Sequence, residues 1–362
     1  MGYEIDFLAV GEGERSGDAI ALRVWRPGDQ NQQGVIVIDG GTKESGQALI
    51  DHIKTFYKTT RVDLAIATHS DSDHTSGLTE VIEQLTVDRL WMHLPWNHAR
   101  QIDDLFKDPR VSADSLKMTL RKSLESAREL ENLAKKKNIP IVEPFSDSVN
   151  NNSFLYVLSP SAKYYESLLP YFRGTPEAKV EPGRFQRAIT AAAEAVKRVA
   201  ENWGFETLAD PAENETSAEN NSSVVLLMKH DDRLFLFTAD AGVPALTEAA
   251  NCADGLGVDL RTLTFIQVPH HGSRHNVGPT ILDRILGPKK TTQTFDKTAY
   301  ISAAKDGEPN HPAKKVINAF KRRGAEVYVT QGESKRHGSD DAPPRQNWSR
   351  AVPLPFYDQV DE

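Results

Sequence analysis

Apolar residues in the first hundred positions come in short β-branched or aromatic runs cut by turn residues, a strand pattern rather than a helical one. Strands are expected at residues 3–10 and 19–25, on either side of the polar, glycine-containing segment 11–18. The run Val35-Ile36-Val37-Ile38 stops at Asp39-Gly40-Gly41, and residues 64–68 form a similar run that stops at His69. Between them Leu49, Ile50, Ile53 and Phe56/Tyr57 recur at helical spacing, which predicts a helix over residues 46–57. Helical character returns at residues 80–85, and another strand is predicted at 89–94.

The period changes over residues 101–205. Leu116, Leu120, Leu124 and Leu130/Leu133 keep helical spacing up to the basic cluster Lys135-Lys136-Lys137, a solvated helix end of the sign that a helix C-terminus favours. Ile189, Ala193, Val196 and Val199 predict a second amphipathic helix over residues 185–203. Strands then return at residues 224–228 and 234–238 around the turn His230-Asp231-Asp232, and at 263–268, 299–302 and 326–330. Helices are expected at residues 244–250, 279–286 and 312–323. The pattern predicts one layered α/β domain over residues 1–332, made of two similar halves and interrupted by a helical insertion at about 101–205. Residues 333–362 read as a charged, proline-containing tail, partly extended or disordered.

Composition narrows the class of protein. Cys252 is the single cysteine, so neither an intrachain disulfide nor a thiolate zinc cluster is available. The first residues lack the basic and apolar regions of a secretory signal, Asp6 stands where a myristoylation motif needs Ser or Thr, and no apolar run is long enough to span a membrane. A cytoplasmic protein is expected. The net charge of −8 argues against broad, non-specific nucleic-acid binding, but leaves local binding open where metal ions reverse the field of acidic ligands.

The candidate chemistry lies where strands stop. His69-Ser70-Asp71-Ser72-Asp73-His74 puts two imidazoles and two carboxylates on a strand-to-helix turn, each able to hold a divalent cation. Far downstream Phe237-Thr238-Ala239 ends in Asp240, and Gln267-Val268-Pro269 ends in His270-His271-Gly272-Ser273. Three strand ends of this kind converge if the strands share a sheet edge.

These residues resemble the metallo-β-lactamase superfamily, and especially the soluble domain of the ComEC/Rec2 DNA-uptake proteins and its stand-alone relatives. Gly17-Asp18-Ala19, Ile38-Asp39-Gly40-Gly41, Asn220-Asn221-Ser222-Ser223 and Asn310-His311-Pro312 are similar to further segments of that group. The resemblance covers most of residues 1–100 and 218–332. It implies an αββα sandwich, two mixed sheets between helical layers, and a centre of two divalent ions, Zn or Mn. One ion would take His69, Asp71 and a third histidine; the other would take Asp73, His74 and His270, with Asp240 shared. For the third histidine His93, His98 and His230 are available, and His98, just past a strand end, is the one chosen.

Asp71 stands where the superfamily more commonly has histidine; aspartate at that position is the form of the ComEC-like branch. Three carboxylates and one bridging hydroxide would neutralise two divalent ions, and the added carboxylate makes the site harder, so that Mn²⁺ competes with Zn²⁺. Ions about 3.5–4 Å apart suit the cleavage of phosphodiesters, including single-stranded DNA and short oligonucleotides, although carbonyl substrates such as esters, lactones and lactams, or a silent metal-binding module, stay open. Asp73 is expected to orient the nucleophile and Asp39 to orient a ligand. His311 and His275 are candidates to contact a phosphate or protonate a leaving group, and Asn221, His271 and Ser273 to lie beside ligands or substrate.

Overall fold

Alternation along the first strand decides which way its sheet faces. Tyr3, Ile5 and Phe7 are buried on one side of it, and Glu4 and Asp6 are just as buried on the other. The computed structural model describes residues 2–11, 17–26, 29–148, 154–180, 198–212, 215–305, 311–346 and 348–361. In chain order the strands of the two large sheets are β1 (Gly2–Phe7), β2 (Ala19–Arg26), β3 (Asp29–Gly40), β4 (Leu64–Ile66), β5 (Leu90–Trp91), β6 (Ile141–Val142), β7 (Leu155–Ser159), β8 (Val225–His230), β9 (Arg233–Phe237), β10 (Phe265–Gln267), β11 (Lys297–Ile301), β12 (Ala325–Val329) and β13 (Lys335–Gly338). One sheet has the order β13-β1-β2-β3-β4-β5-β6, and the other β12-β11-β10-β9-β8-β7. Both are mixed: β3 to β6 run parallel, as do β9 to β12, while the remaining pairings are antiparallel.

The inner faces meet through Tyr3, Phe7, Ile36, Ile38 and Ile66 from one sheet and Val157, Leu226, Met228, Phe235 and Phe265 from the other. Outer faces are covered by helices. Val35, Val37 and Ala65 share one core with α1 (Lys43–His52), α2 (Ser72–Gln84), α3 (Ala113–Ser123) and α4 (Glu125–Lys136), of which α1 and α2 cover β3 and α4 packs on α2. Leu227, Leu236, Ile266 and Val327 pack on further helices at Val243–Gly255, Pro279–Leu286 and Lys314–Arg322. The period-2 switch between Val35/Val37 and Ile36/Ile38 thus separates two cores, and the architecture is the expected αββα sandwich. Among the described residues no helix is long and apolar enough to cross a membrane.

Three expectations from the sequence change. The predicted insertion is not a purely helical excursion, because β6 and β7 fall within 101–205 and each takes an edge place in one of the large sheets. The predicted helix over 185–203 lies mostly outside the described residues, and where described it is not helical: Arg198–Ala200 pairs antiparallel with Gln359–Asp361. The tail is tied in as well, since β13 adds to β1 and Leu354 N–H donates to Val327 O at 2.7 Å.

The tail also neutralises charge under the first sheet. Arg345 Nη1 and Nη2 donate to the two oxygens of Asp6 at 2.7 and 2.8 Å, and Tyr57 Oη donates to Asp6 Oδ2 at 2.6 Å. Arg23 Nε donates to Glu4 Oε2 at 2.5 Å, and Arg336 pairs with the other Glu4 oxygen. Removing one partner of a buried ion pair leaves the other charge uncompensated. Here His52 and Tyr57 stay on Asp6, and Arg23 and Arg336 on Glu4, so Arg345→Ala is expected to lower unfolding free energy by about 1.5–3 kcal/mol in urea denaturation. A loss below about 1 kcal/mol, the range of exposed pairs, would show that the tail does not hold these carboxylates.

Candidate metal centre

The parallel strands deliver the site. Asp39 stands at the carboxyl end of β3, and His69, Asp240 and the pair His270-His271 stand just beyond those of β4, β9 and β10, along the edge where open α/β sheets place their ligands. The backbone is bent to do so: Asp39, Ala239, His270 and His271 have φ of 55°, 45°, 45° and 56°. Left-handed conformation at non-glycine residues costs about 1–3 kcal/mol each and clusters at functional sites. Asp71 flanks the start of α2, and Asp73 and His74 occupy its first turn. That helix reaches the strand ends because Gly77 has no side chain; a Cβ there would lie 1.9 Å from Gly40 O.

Each imidazole of the cluster is held by its Nδ1. His74 Nδ1 lies 2.8 Å from Asp39 Oδ2, and Asp39 also accepts from Thr68 N–H at 2.8 Å and Thr68 Oγ1 at 2.6 Å. Because the Thr68 hydroxyl proton is used there, His69 Nδ1–H is the donor to Thr68 Oγ1 at 3.1 Å. His271 Nδ1–H donates to Ser302 O at 2.8 Å, where only an acceptor is available. His270 Nδ1–H donates to Asn276 Oδ1 at 2.8 Å, whose amide nitrogen is spent on Asp240 O at 2.8 Å. Four rings thus carry fixed outer partners and turn Nε2 inward.

Those Nε2 atoms face one carboxylate. Asp240 Oδ2 is 3.9 Å from His69 Nε2, 3.5 Å from His74 Nε2 and 3.5 Å from His270 Nε2, while Oδ1 is 3.8 Å from His271 Nε2. His69 Nε2, His74 Nε2 and Asp240 Oδ1 are buried with no hydrogen-bond partner among the described residues. Imidazole lone pairs aimed at a buried carboxylate repel it unless a cation or a proton lies between. Asp73, His74 and His271 group within ligating distance of one another, as do His69, His74 and Asp240, and Asp240, His270 and His271. The donor set of imidazole nitrogens and carboxylate oxygens fits divalent metal.

The electrostatics agree with that reading. Burial works against an imidazolium at His74, but Asp240 and Asp39 outweigh it and hold His74 well above the usual histidine range. Burial and the His74 charge push His69 down to about 3, and burial takes His271 to about 4. Burial raises Asp71 to about 6 against the pull of Arg173, and raises Asp18 to about 8 against that of His74.

The cluster brings together His69, Asp73, His74, Asp240, His270 and His271, with Asp71 Oδ2 3.8 Å from His69 Nε2. His271, expected beside the ligands, groups with Asp73 and His74, whereas His270 groups with Asp240 and His271. His98 is not brought in. Its Nδ1 is 2.9 Å from Glu166 Oε1 and its Nε2 3.1 Å from Glu143 Oε1, so two carboxylates occupy both ring nitrogens. The alternatives do not replace it: His93 stacks on Tyr165 at 4.4 Å, and His230 ends β8 with its ring 5.3 Å from Tyr3.

His311 lies beside the cluster, its ring 5.9 Å from His270, whereas His275 pairs with Glu215. Asn221 donates to Thr216 O and Ser217 O at 3.2 and 3.0 Å, and Ser273 Oγ accepts from His275 N–H at 3.3 Å, so both tie loops. Sequence reasoning missed Arg173, which pairs with Asp71, and Asn220, whose Nδ2 is 3.4 Å from His270 Nε2. It also left Asp18 without a role; this carboxylate accepts from Gln267 Nε2 at 2.7 Å and lies 3.9 Å from His74 Nδ1.

Residues 29–306 match the family described as the metallo-beta-lactamase superfamily. ComE operon protein 3 of Bacillus subtilis (strain 168) is 28% identical over 120 residues, which cover 33% of this chain and 14% of that protein. Similar solved structures include a diphosphatase from the PhnP family, with a TM-score of 0.37, 9% identity and coverage of 93% of this chain and 99% of that one. A metal-dependent hydrolase of the beta-lactamase superfamily gives a TM-score of 0.37 at 10% identity, over 92% of this chain and 98% of that one.

Proposed function

The chain belongs to the metallo-beta-lactamase superfamily, and from that premise we propose that it is a hydrolase of phosphodiesters dependent on two divalent ions, Zn or Mn. Single-stranded DNA and short oligonucleotides are the substrate class this reading favours. The observation that carries it is the convergence of four outward-anchored imidazoles on Asp240, with Asp71 and Asp73 adding two more carboxylates at the same edge. His69, Asp71 and Asp240 would hold one ion; Asp73, His74, His271 and Asp240 the other, with His270 at the rim. Such ions supply Lewis acidity at a phosphoryl oxygen and acidify water enough to act as a nucleophile near neutral pH.

The protein's part is positioning. Asp39, Thr68, Ser302 and Asn276 fix the rings, so little reorganisation remains when charge develops on the substrate. Asp73 orients the nucleophile from the first turn of α2. His311, held down at about 4 by burial and by His270, is neutral at pH 7 and serves through hydrogen bonding to an anionic oxygen rather than by giving up a proton. His275 keeps Nδ1 on Glu215.

The test is a screen of metal-reconstituted protein on bis-(p-nitrophenyl) phosphate, a lactone and a chromogenic β-lactam, each with Mn²⁺ and with Zn²⁺. Metal-dependent turnover of the phosphodiester is expected. Turnover of the lactone or lactam alone would overturn the reading, and a protein that retains no metal after reconstitution would be a binding module.

A further inference from the structure

We propose that Arg173 is a substrate-anchoring residue, a guanidinium beside Asp71 that would take an anionic phosphoryl oxygen where a metal ion holds that carboxylate. This rests on the phosphodiester reading above. Arg173 follows the turn Leu169–Tyr171, and its base is built rather than loose. Phe172 is fully buried, Thr175 Oγ1 donates to Pro170 O and Phe172 O at 2.9 and 2.6 Å, and Arg173 N–H donates to Glu219 Oε1 at 2.5 Å. From that base Nη2 pairs with Asp71 Oδ1, and Nε stands 3.9 Å from Glu219 Oε1. Glu219 belongs to the helical turn Ala218–Asn221, whose Asn220 reaches His270, so Arg173 stands at the mouth of the cluster.

Its exposure separates this arginine from a structural clasp. Arg322 and Arg323, which tie the second half together through Glu201, Glu206 and Asp283, have fully buried side chains, whereas the Arg173 side chain is 52% exposed and that of Asp71 23%. An exposed guanidinium loses little on leaving one carboxylate. At an Asp71 that holds a divalent ion, the guanidinium would find fewer free lone pairs and a repulsive neighbour. The planar fork it then presents matches two oxygens of a phosphate, a geometry that an ammonium does not provide. His98 stays on Glu143 and Glu166, and the side chain that reaches Asp71 from the 101–205 segment is that of Arg173.

The experiment compares wild type, Arg173→Gln and Arg173→Lys as full chains, with thermal unfolding and elemental analysis establishing that all three fold and load. Isothermal titration measures Mn²⁺ binding to the metal-free protein and inorganic phosphate binding to the loaded protein. In Arg173→Gln, Mn²⁺ is expected to bind several-fold more tightly, because a competitor has gone, and phosphate about tenfold more weakly, the size of one lost charged hydrogen bond. Arg173→Lys should restore the Mn²⁺ affinity of wild type and only part of the phosphate affinity. Phosphate affinity equal in Arg173→Gln and wild type, or no phosphate binding by loaded wild type, overturns the inference. Unchanged phosphate affinity alongside wild-type phosphodiester turnover would overturn the role of Arg173 alone. A tenfold loss without any phosphodiester turnover would instead overturn the assigned reaction and leave Arg173 as an anion anchor.

Discussion

Asp240→Asn is expected to reduce phosphodiester turnover at least about 10³-fold, beyond the roughly 10–100-fold cost of losing an outer partner of a ligand. The reason is its place at the hub: two oxygens face four Nε2 atoms within 3.9 Å. Asparagine keeps the shape and one lone-pair oxygen, yet it brings no negative charge to a site that must hold cations. The fold should survive, since the hydrogen bonds that define this turn use the backbone: Asp240 O accepts from Asn276 and Ala241 N–H donates to Thr238 O. Turnover and metal content measured side by side in wild type and variant check the claim. A variant that retains two ions and more than a tenth of wild-type turnover would remove Asp240 from the centre.

The strand ends were legible because abrupt change is legible. An apolar run that stops at His69, Asp240 or His270 marks a turn that carries the polar residues, and the runs placed β1, β2, β4 and β8 to β12 within a few residues of where they lie, and only the last part of β3. What failed needed tertiary information. His98 stands beyond a strand end, as a ligand should, but the chain after β5 turns its ring between Glu143 and Glu166, which are 45 and 68 residues away. His270 and His271 are neighbours in sequence, and only the left-handed backbone at both lets two adjacent rings enter one cluster. Arg173 offered no signal at all, being one arginine in a segment of unremarkable polarity. The tail misled because its charges suggest solvent, whereas Arg345 answers Asp6, a carboxylate that pattern alone places inside a sheet.

Metal binding should release at least one proton per protein at pH 7 and weaken at least about tenfold for each unit the pH falls from 8 to 5, a change of at least about 10³. In the metal-free protein His74 is held well above the usual range by Asp240 and Asp39 despite its burial, so its Nε2 carries a proton at neutral pH. Metal needs that lone pair and must displace the proton. The sign follows: a raised pKa in the metal-free state means protons compete with metal, and affinity rises with pH. Asp71, near 6, adds a second competing proton at the acid end, while Asp18, near 8, should give up part of its proton when positive charge arrives beside it. Titration of Mn²⁺ in buffers of different ionisation enthalpy counts the released protons directly. Because Asp240 is the leading favourable influence on His74, Asp240→Asn should bind metal weakly and also release fewer protons. An affinity independent of pH between 8 and 6 would mean that His74 Nε2 is not where the metal binds.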